Sequence, residues 1–370
     1  MRKILTLKLS KNLLRSTESN EIKLNLQAPI NQLGYGVAGI NILKALQAND
    51  VEVSFFPIGQ PQVTNQADAD AVRKGMETAQ TFDPQAPCVK IWHQNQMAER
   101  IGSGKFIGFP IFELDTFNEL EKHHLQSCDE LMVCSKWAKD VVDSNTLLCP
   151  TTVVPLGVDS RLFQATSANQ GDKTIFFNCG KWEIRKGHDI LINAFKKVLE
   201  HGENAELWMM CSNPFNSEEE NSRWHQHYNH PKVKLIPRAE TQAEVYNIMS
   251  QVDCGVFPSR GEGWNLELLE MMAAGKHVVA TDYSAHTEFC TKENAGLVSI
   301  SDVESAFDNK WFFGQGNWAK IGAHEEMDLY MKMMKYILDK KGTVNLAGIE
   351  TAKKFSWQNT AREMIKCLKQ

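Results

Sequence analysis

The feature that most constrains this chain is an alternation. Short apolar runs take turns with stretches of helical periodicity along almost the whole sequence. In the first half the runs are Ile22–Ala28, Val51–Ile58, Val89–His93, Phe106–Glu113 and Glu130–Cys134, with helical patterns such as Val37–Ala48 and Thr116–Ser127 between them. In the second half they are Thr174–Cys179, Ala205–Cys211, Val233–Pro237, Cys254–Pro258, His277–Thr281 and Gly296–Ile300, separated by Gly187–His201, Ala243–Gln251 and Leu266–Ala274. Strands that alternate with helices build βαβ units and parallel sheets with right-handed crossovers. Two such series predict an α/β protein of two doubly wound, Rossmann-like domains facing a central cleft. Ligands of open α/β sheets bind beyond the carboxyl ends of the strands, so the chemistry is expected in loops that follow strands.

The chain has 370 residues, a length that suits two domains and needs no disulfide or metal staple. The small, polar segment Ala165–Gly171 reads as a linker within a seam near Val158–Asp172. The first domain is therefore expected over residues 1-160 and the second over 171-355. A late helix is expected at Ala323–Lys340, between Gly322 and Gly342, and another after Trp357.

Charge and cysteine content narrow the class. The net charge is −5, with 16 basic and 18 acidic residues up to position 170 and 24 and 27 beyond it. Neither half advertises a broad nucleic-acid groove or a face for anionic membranes. No stretch approaches the apolar length of a spanning helix. The opening MRKILTLKLSKNLL is broken by Lys3, Lys8 and Lys11, unlike a secretory leader. Nine cysteines, an odd number without a CxxC pair, suit buried thiols in a reducing compartment. A cytoplasmic protein is expected.

Three strand-to-helix turns concentrate chemistry. The first is Ser259–Glu270. Gly261 and Gly263 allow tight turns before a helix that starts near Asn265. A helix N-terminus offers free N–H groups to a phosphate, and Glu262 and Glu270 bracket that position. They can accept hydrogen bonds from sugar hydroxyls; Glu267 and Glu270 also suit a solvated helix face. The second turn is Gly180–Gly187, where Lys181, Arg185 and Lys186 can offset a diphosphate without a metal, or simply form a solvated basic loop. The third is Gly34-Tyr-Gly36-Val-Ala-Gly39, which has GxGxxG spacing but no acidic residue at the end of the next strand to clamp a ribose. His93 and Glu113 end strands and can face the cleft. Asp68-Ala-Asp70 lies in a helical stretch, and His225, His227 and His230 lie in a polar segment without a nearby cysteine. Both read as surface features, and no metal site is expected.

Taken in order, these residues resemble the retaining, nucleotide-sugar-dependent glycosyltransferases of family 4 (glycosyl transferases group 1), which have the GT-B fold. The family's pair of glutamates separated by seven residues is similar to Glu262 and Glu270. Its Pro-Ser-x-x-Glu-Gly is matched at Pro258-Ser259 and Glu262-Gly263, and its Ala-x-Gly-x-x-Val-Val-Ala at Ala273–Ala280. Its Gly-Arg-x4-Lys-Gly is similar to Gly180-Lys181 and Lys186-Gly187. Val153–Asp159 and Phe355-Ser-Trp357 match its hinge and its last helix. The resemblance covers roughly Asp129 to the C-terminus; before that it rests on Gly34-Tyr-Gly36, the strand ends and Asp129…Ser135. Two positions depart. Lys181 replaces an Arg, which keeps the charge and loses the fork, and Asn265 replaces a common second Gly.

The resemblance implies a division of labour. The second domain would bind a nucleotide sugar, with Glu270 on the ribose hydroxyls. Glu262, Gly263, Trp264, Asn265 and Leu266 would contact the sugar or its phosphate, and Trp264 and Asn265 would shape the sugar pocket. Lys181 and Lys186 would stabilise the departing diphosphate, so the chemistry would need no metal or other cofactor. The loop with Arg238 would lie near the base. Gly34, Tyr35, Gly36, His93 and Glu113 would face the acceptor. The last helix, within about 356-370, would pack back on the first domain. The acceptor is open among glycan, lipid, small molecule, protein and nucleic acid. The alternatives are a GT-B nucleotide-sugar epimerase and a noncatalytic nucleotide-sugar-binding protein.

Overall fold

The computed structural model describes residues 22–145 and 147–369; the leader reading of MRKILTLKLSKNLL falls outside them. The first series of elements is β1 (Lys23–Ala28), α1 (Gly34–Gln47), β2 (Glu52–Pro57), α2 (Gln66–Thr78), β3 (Cys88–Trp92), β4 (Phe106–Pro110), α3 (Glu119–Gln126), β5 (Glu130–Val133), α4 (Lys136–Ser144) and β6 (Thr151–Val153). All six strands are parallel, in the order β2-β1-β3-β4-β5-β6. The second series is β7 (Thr174–Gly180), α5 (His188–Glu200), β8 (Ala205–Cys211), α6 (Glu218–His227), β9 (Val233–Leu235), α7 (Gln242–Gln251), β10 (Cys254–Phe257), α8 (Leu266–Ala273), β11 (His277–Thr281), α9 (His286–Phe289) and β12 (Gly296–Val298). It forms a second parallel sheet, β12-β11-β10-β7-β8-β9. Helices cover both faces of such sheets, so central strands read as unbroken apolar runs; Cys254–Phe257 is buried at every residue.

A hairpin of β13 (Val303–Phe307) and β14 (Phe313–Ala319) follows, then α10 (Ala323–Asp339), α11 (Leu346–Lys354) and α12 (Trp357–Leu368). Helix α10 packs on α5, and α12 packs on α1. Trp357, Ala361 and Met364 supply the buried stripe of α12 at helical spacing. The chain passes between the sheets twice, side by side. Val158 pairs with Ser356, and Thr360 Oγ1 donates to Pro155 O at 2.8 Å. A Cβ on Gly157 would lie 2.3 Å from Ser356 backbone, so the crossing requires glycine.

Several ends differ from expectation. β4 stops at Pro110, because proline has no N–H to continue the ladder, so Glu113 sits in the loop beyond it. The β13–β14 hairpin was not anticipated, although Asp308-Asn309, with Asn309 at φ +61°, is turn chemistry. Asp68 lies in α2 and pairs with Lys44 at 2.7 Å. His225 and His227 sit in the last turn of α6. No described helix is long and apolar enough to cross a membrane.

Candidate active site

Strand order locates the cleft floor. In the second sheet the order reverses direction between β7 and β10, and the loops after those strands form the crevice that open α/β sheets use for ligands. These are Gly180–Gly187 and Pro258–Asn265, two of the three sequence candidates. Their approach is close: a Cβ on Gly187, at φ +73°, would lie 2.0 Å from Pro258 O. Asn265 adopts φ +85°, which explains why asparagine can stand where glycine is usual. Its side chain caps α8 by accepting the Leu268 N–H at 3.2 Å, and its Nδ2 lies 2.9 Å from His286 Nε2.

Between the two loops lies a buried ionic network. Glu262 is 4% exposed. Its Oε1 takes the Lys186 ammonium at 2.8 Å and the Ser259 hydroxyl at 2.7 Å, and its Oε2 takes Arg185 Nη1 at 3.0 Å. Arg185 also donates to Gly261 O at 2.7 Å and sends Nε and Nη2 to Glu183 Oε2 at 3.0 and 2.7 Å. Lys181 reaches the other Glu183 oxygen at 3.0 Å. Burial alone would raise the Glu262 pKa, but Lys186 and Arg185 outweigh it and hold the carboxyl well below the usual range. Glu262 is thus held in its ionised form by the two cations. Glu183 is held low in the same way by Arg185 and Lys181 against burial. Three cations thus meet two carboxylates directly, and Glu113 and Glu267 also act on Arg185 and Lys186. His188 sets the loop: its Nδ1 accepts the Glu183 N–H at 3.2 Å while Nε2 lies 2.9 Å from Asn178 Oδ1. Burial lowers its pKa to about 3, so it is neutral.

The facing wall comes from the first sheet, where the order reverses between β1 and β3. Tyr35 donates to Ile111 O at 2.6 Å, and its ring lies 4.7 Å from that of His93. Burial, with Lys181 opposite, lowers the His93 pKa. Burial raises that of Glu113, against the pull of Arg185. The cavity between the two walls is about 320 Å³ and open at its mouth. It is lined by Gly34, Tyr35, His93 and Glu113 on one side and by Lys181, Lys186, Arg238 and Glu262 to Leu266 with Glu270 on the other.

Gly36 does not line it. A Cβ there would come within 2.2 Å of Asn31 backbone, so this glycine shapes the turn behind the wall and does not face the acceptor side. Trp264 reaches the cavity but is 3% exposed, with its ring packed on Phe289 and Phe355 at 4.9 and 5.7 Å. Arg238 crosses the cleft to donate to Gln32 O at 2.5 Å. Glu270 opens on the cavity; burial, then Glu267, pushes its pKa well up. Sequence reasoning gave no role to Glu183 or Phe215, and listing Arg185 as a loop cation missed its buried fork. The Lys-x-Glu-x-Arg alternation of 181–185 is the one sequence signal that could have suggested the Glu183 pairs.

Residues 173–310 match the family model described as glycosyl transferases group 1. A protein of Sulfolobus islandicus filamentous virus that carries the provisional name glycosyltransferase 45 is 20% identical over 281 residues, covering 72% of this chain and 74% of its own length. Sucrose-phosphate synthase of Thermosynechococcus elongatus superposes with a TM-score of 0.69 at 14% identity, covering 94% of this chain and 98% of its own. Anabaena HepE, solved with UDP and glucose, superposes with a TM-score of 0.67 at 15% identity, covering 94% and 99%. The chain therefore has the GT-B fold: two parallel-sheet, Rossmann-like domains around a cleft.

Proposed function

We propose that this protein is a glycosyltransferase that moves a sugar from a nucleotide-sugar donor to an acceptor hydroxyl with retention of configuration. The observation that carries the reading is the cluster of Lys181, Arg185 and Lys186 held around Glu183 and Glu262 at a Rossmann switch point, with the lysines lining the cavity. The group 1 family match over the same domain, and the UDP bound by HepE, support it.

The diphosphate lies against Lys181, Lys186 and the N-terminus of α8, where cations and free N–H groups meet it. Glu270 accepts the ribose hydroxyls, and Arg238 borders the base. The bond from the anomeric carbon to the diphosphate oxygen breaks as the lysines take up the developing charge. The acceptor oxygen attacks from the face the leaving group vacates, and its proton passes to the leaving phosphate oxygen. Glu262, kept ionised, stabilises positive charge on the sugar ring and holds Lys186 in place. The cations supply the charge that a metal provides elsewhere, so transfer continues in excess EDTA.

A thermal-shift panel of UDP, GDP, ADP and TDP tests the reading. One nucleotide should stabilise the protein selectively, by about 2.7 kcal/mol at a hundred times its Kd. No shift with any of them, or activity lost in EDTA and restored by a metal, would overturn the corresponding part.

A further inference from the structure

The cleft mouth continues into an exposed aromatic surface that the donor chemistry does not use. Phe215 lines the cavity, 52% exposed, with Lys181 Nζ 5.8 Å from its ring centre. Edge-on to it, at 5.7 Å, stands Trp311, 46% exposed, in the turn of the β13–β14 hairpin. Phe313 and Phe307, 62% and 52% exposed, pair across the hairpin at 6.3 Å. Two exposed aromatic pairs, one at the cavity and one further along the same hairpin, thus form a patch beside the site.

The patch is held rigid. Asp308 Oδ1 accepts the N–H groups of Lys310, Trp311 and Phe312 at 2.8, 2.8 and 2.9 Å. Lys310 ties the turn to α6 through Glu220 at 2.8 Å and Asn216 at 2.8 Å. Phe312 turns inward onto Trp318 at 5.4 Å, which leaves Trp311 and Phe313 turned out. A turn braced by five hydrogen bonds to keep large rings in water marks a binding surface.

Resting on the glycosyltransferase reading, we propose that this patch is the acceptor subsite and that the acceptor is an oligosaccharide. The unit that carries the reacting hydroxyl sits in the cavity, and the units behind it lie on Phe215, Trp311 and Phe313. The axial C–H faces of pyranose rings suit the negative faces of aromatic rings. Charge points the same way. Glu218, Glu219 and Glu220 border the patch at the start of α6, and Lys310 is already paired, which opposes an anionic membrane.

The test uses neutral hexasaccharides of the malto, cello, chito and manno series as probes, with binding followed by titration NMR. At least one should bind the wild type. Trp311→Ala should weaken it about tenfold, and Trp311→Ala/Phe313→Ala further. Nucleotide binding and donor hydrolysis should be unchanged in both variants. No binding by the wild type, or equal binding by the variants, overturns the proposal while leaving donor binding to stand or fall alone. Trp311-dependent binding to phosphatidylglycerol vesicles, or a dimer in sedimentation that Trp311→Ala dissociates, overturns it in favour of a membrane or a second copy.

Discussion

The two switch points share a topology and differ in chemistry. At the second, between β7 and β10, five charged side chains lock one another in a buried lattice. At the first, between β1 and β3, the side chains that face the cleft are mostly aromatic: Tyr35, Trp92 and His93 pack ring against ring, with the single carboxyl of Glu113, its pKa raised by burial, beside them. The same backbone geometry carries one face crowded with paired charges and one dominated by aromatic rings. Fold alone positions both sites; side-chain charge decides what each one takes.

This contrast can be attacked directly. The largest expected effect follows Lys186→Ala. Glu262 keeps Arg185 and Ser259, so the fold should hold, while transfer loses a charge-assisted bond of about 1.5–3 kcal/mol, roughly 10–150-fold in kcat/KM. Nucleotide affinity should fall with it. His93→Ala, in the more exposed aromatic wall across the same cavity, should leave nucleotide affinity unaltered. Equal weakening in both variants would break the division between the two faces.

Acid should test the charged face next. His188 has a folded pKa of about 3 against an ordinary 6.5. For a base whose pKa is lowered by folding, stability is fully present above the ordinary value and is lost as pH falls toward the folded one. Urea unfolding between pH 7 and pH 3 should therefore show stability falling by a few kcal/mol across that window. His188→Gln should flatten the profile; an unchanged slope would sink the assignment.

The smallest effect concerns the α8 turn. Asn265→Ala places a Cβ residue with no cap at φ +85° and should cost about 1–2 kcal/mol by thermal unfolding. Asn265→Gly, which keeps the backbone freedom, should cost only a few tenths. If alanine is tolerated as well as glycine, backbone geometry is not what asparagine supplies there.

Most of the architecture was legible because parallel strands buried on both faces leave continuous apolar runs, separated by stretches of helical periodicity. The charged switch point was legible for a related reason: Lys186, Glu262 and Glu270 stand at fixed offsets from strand ends. Glu183 was not, since a carboxylate two residues from two cations looks in sequence like a solvated loop, and only burial turns it into the pivot of the network. Gly36 was misplaced because spacing shows that a glycine is needed without showing what presses against it. The hairpin was missed because Gly314 and Gly316 interrupt β14 and β13 is mostly exposed, so neither strand shows an apolar run, yet it ties the two halves together. Asn317 donates to Asp115 at 2.9 and 3.2 Å, and Ala319 N–H donates to Arg260 O at 2.8 Å.

The return of α12 to α1 bears on how the chain is made. Residues 357–368 cover an apolar face laid down more than three hundred positions earlier. During synthesis at about 5–20 residues per second, that face waits uncovered for tens of seconds while the second domain is translated. The first domain is thus the earliest to leave the ribosome and the last to be finished. A gene fragment cut at the linker would yield it permanently incomplete, with the stripe of α1 open to chaperones or to aggregation.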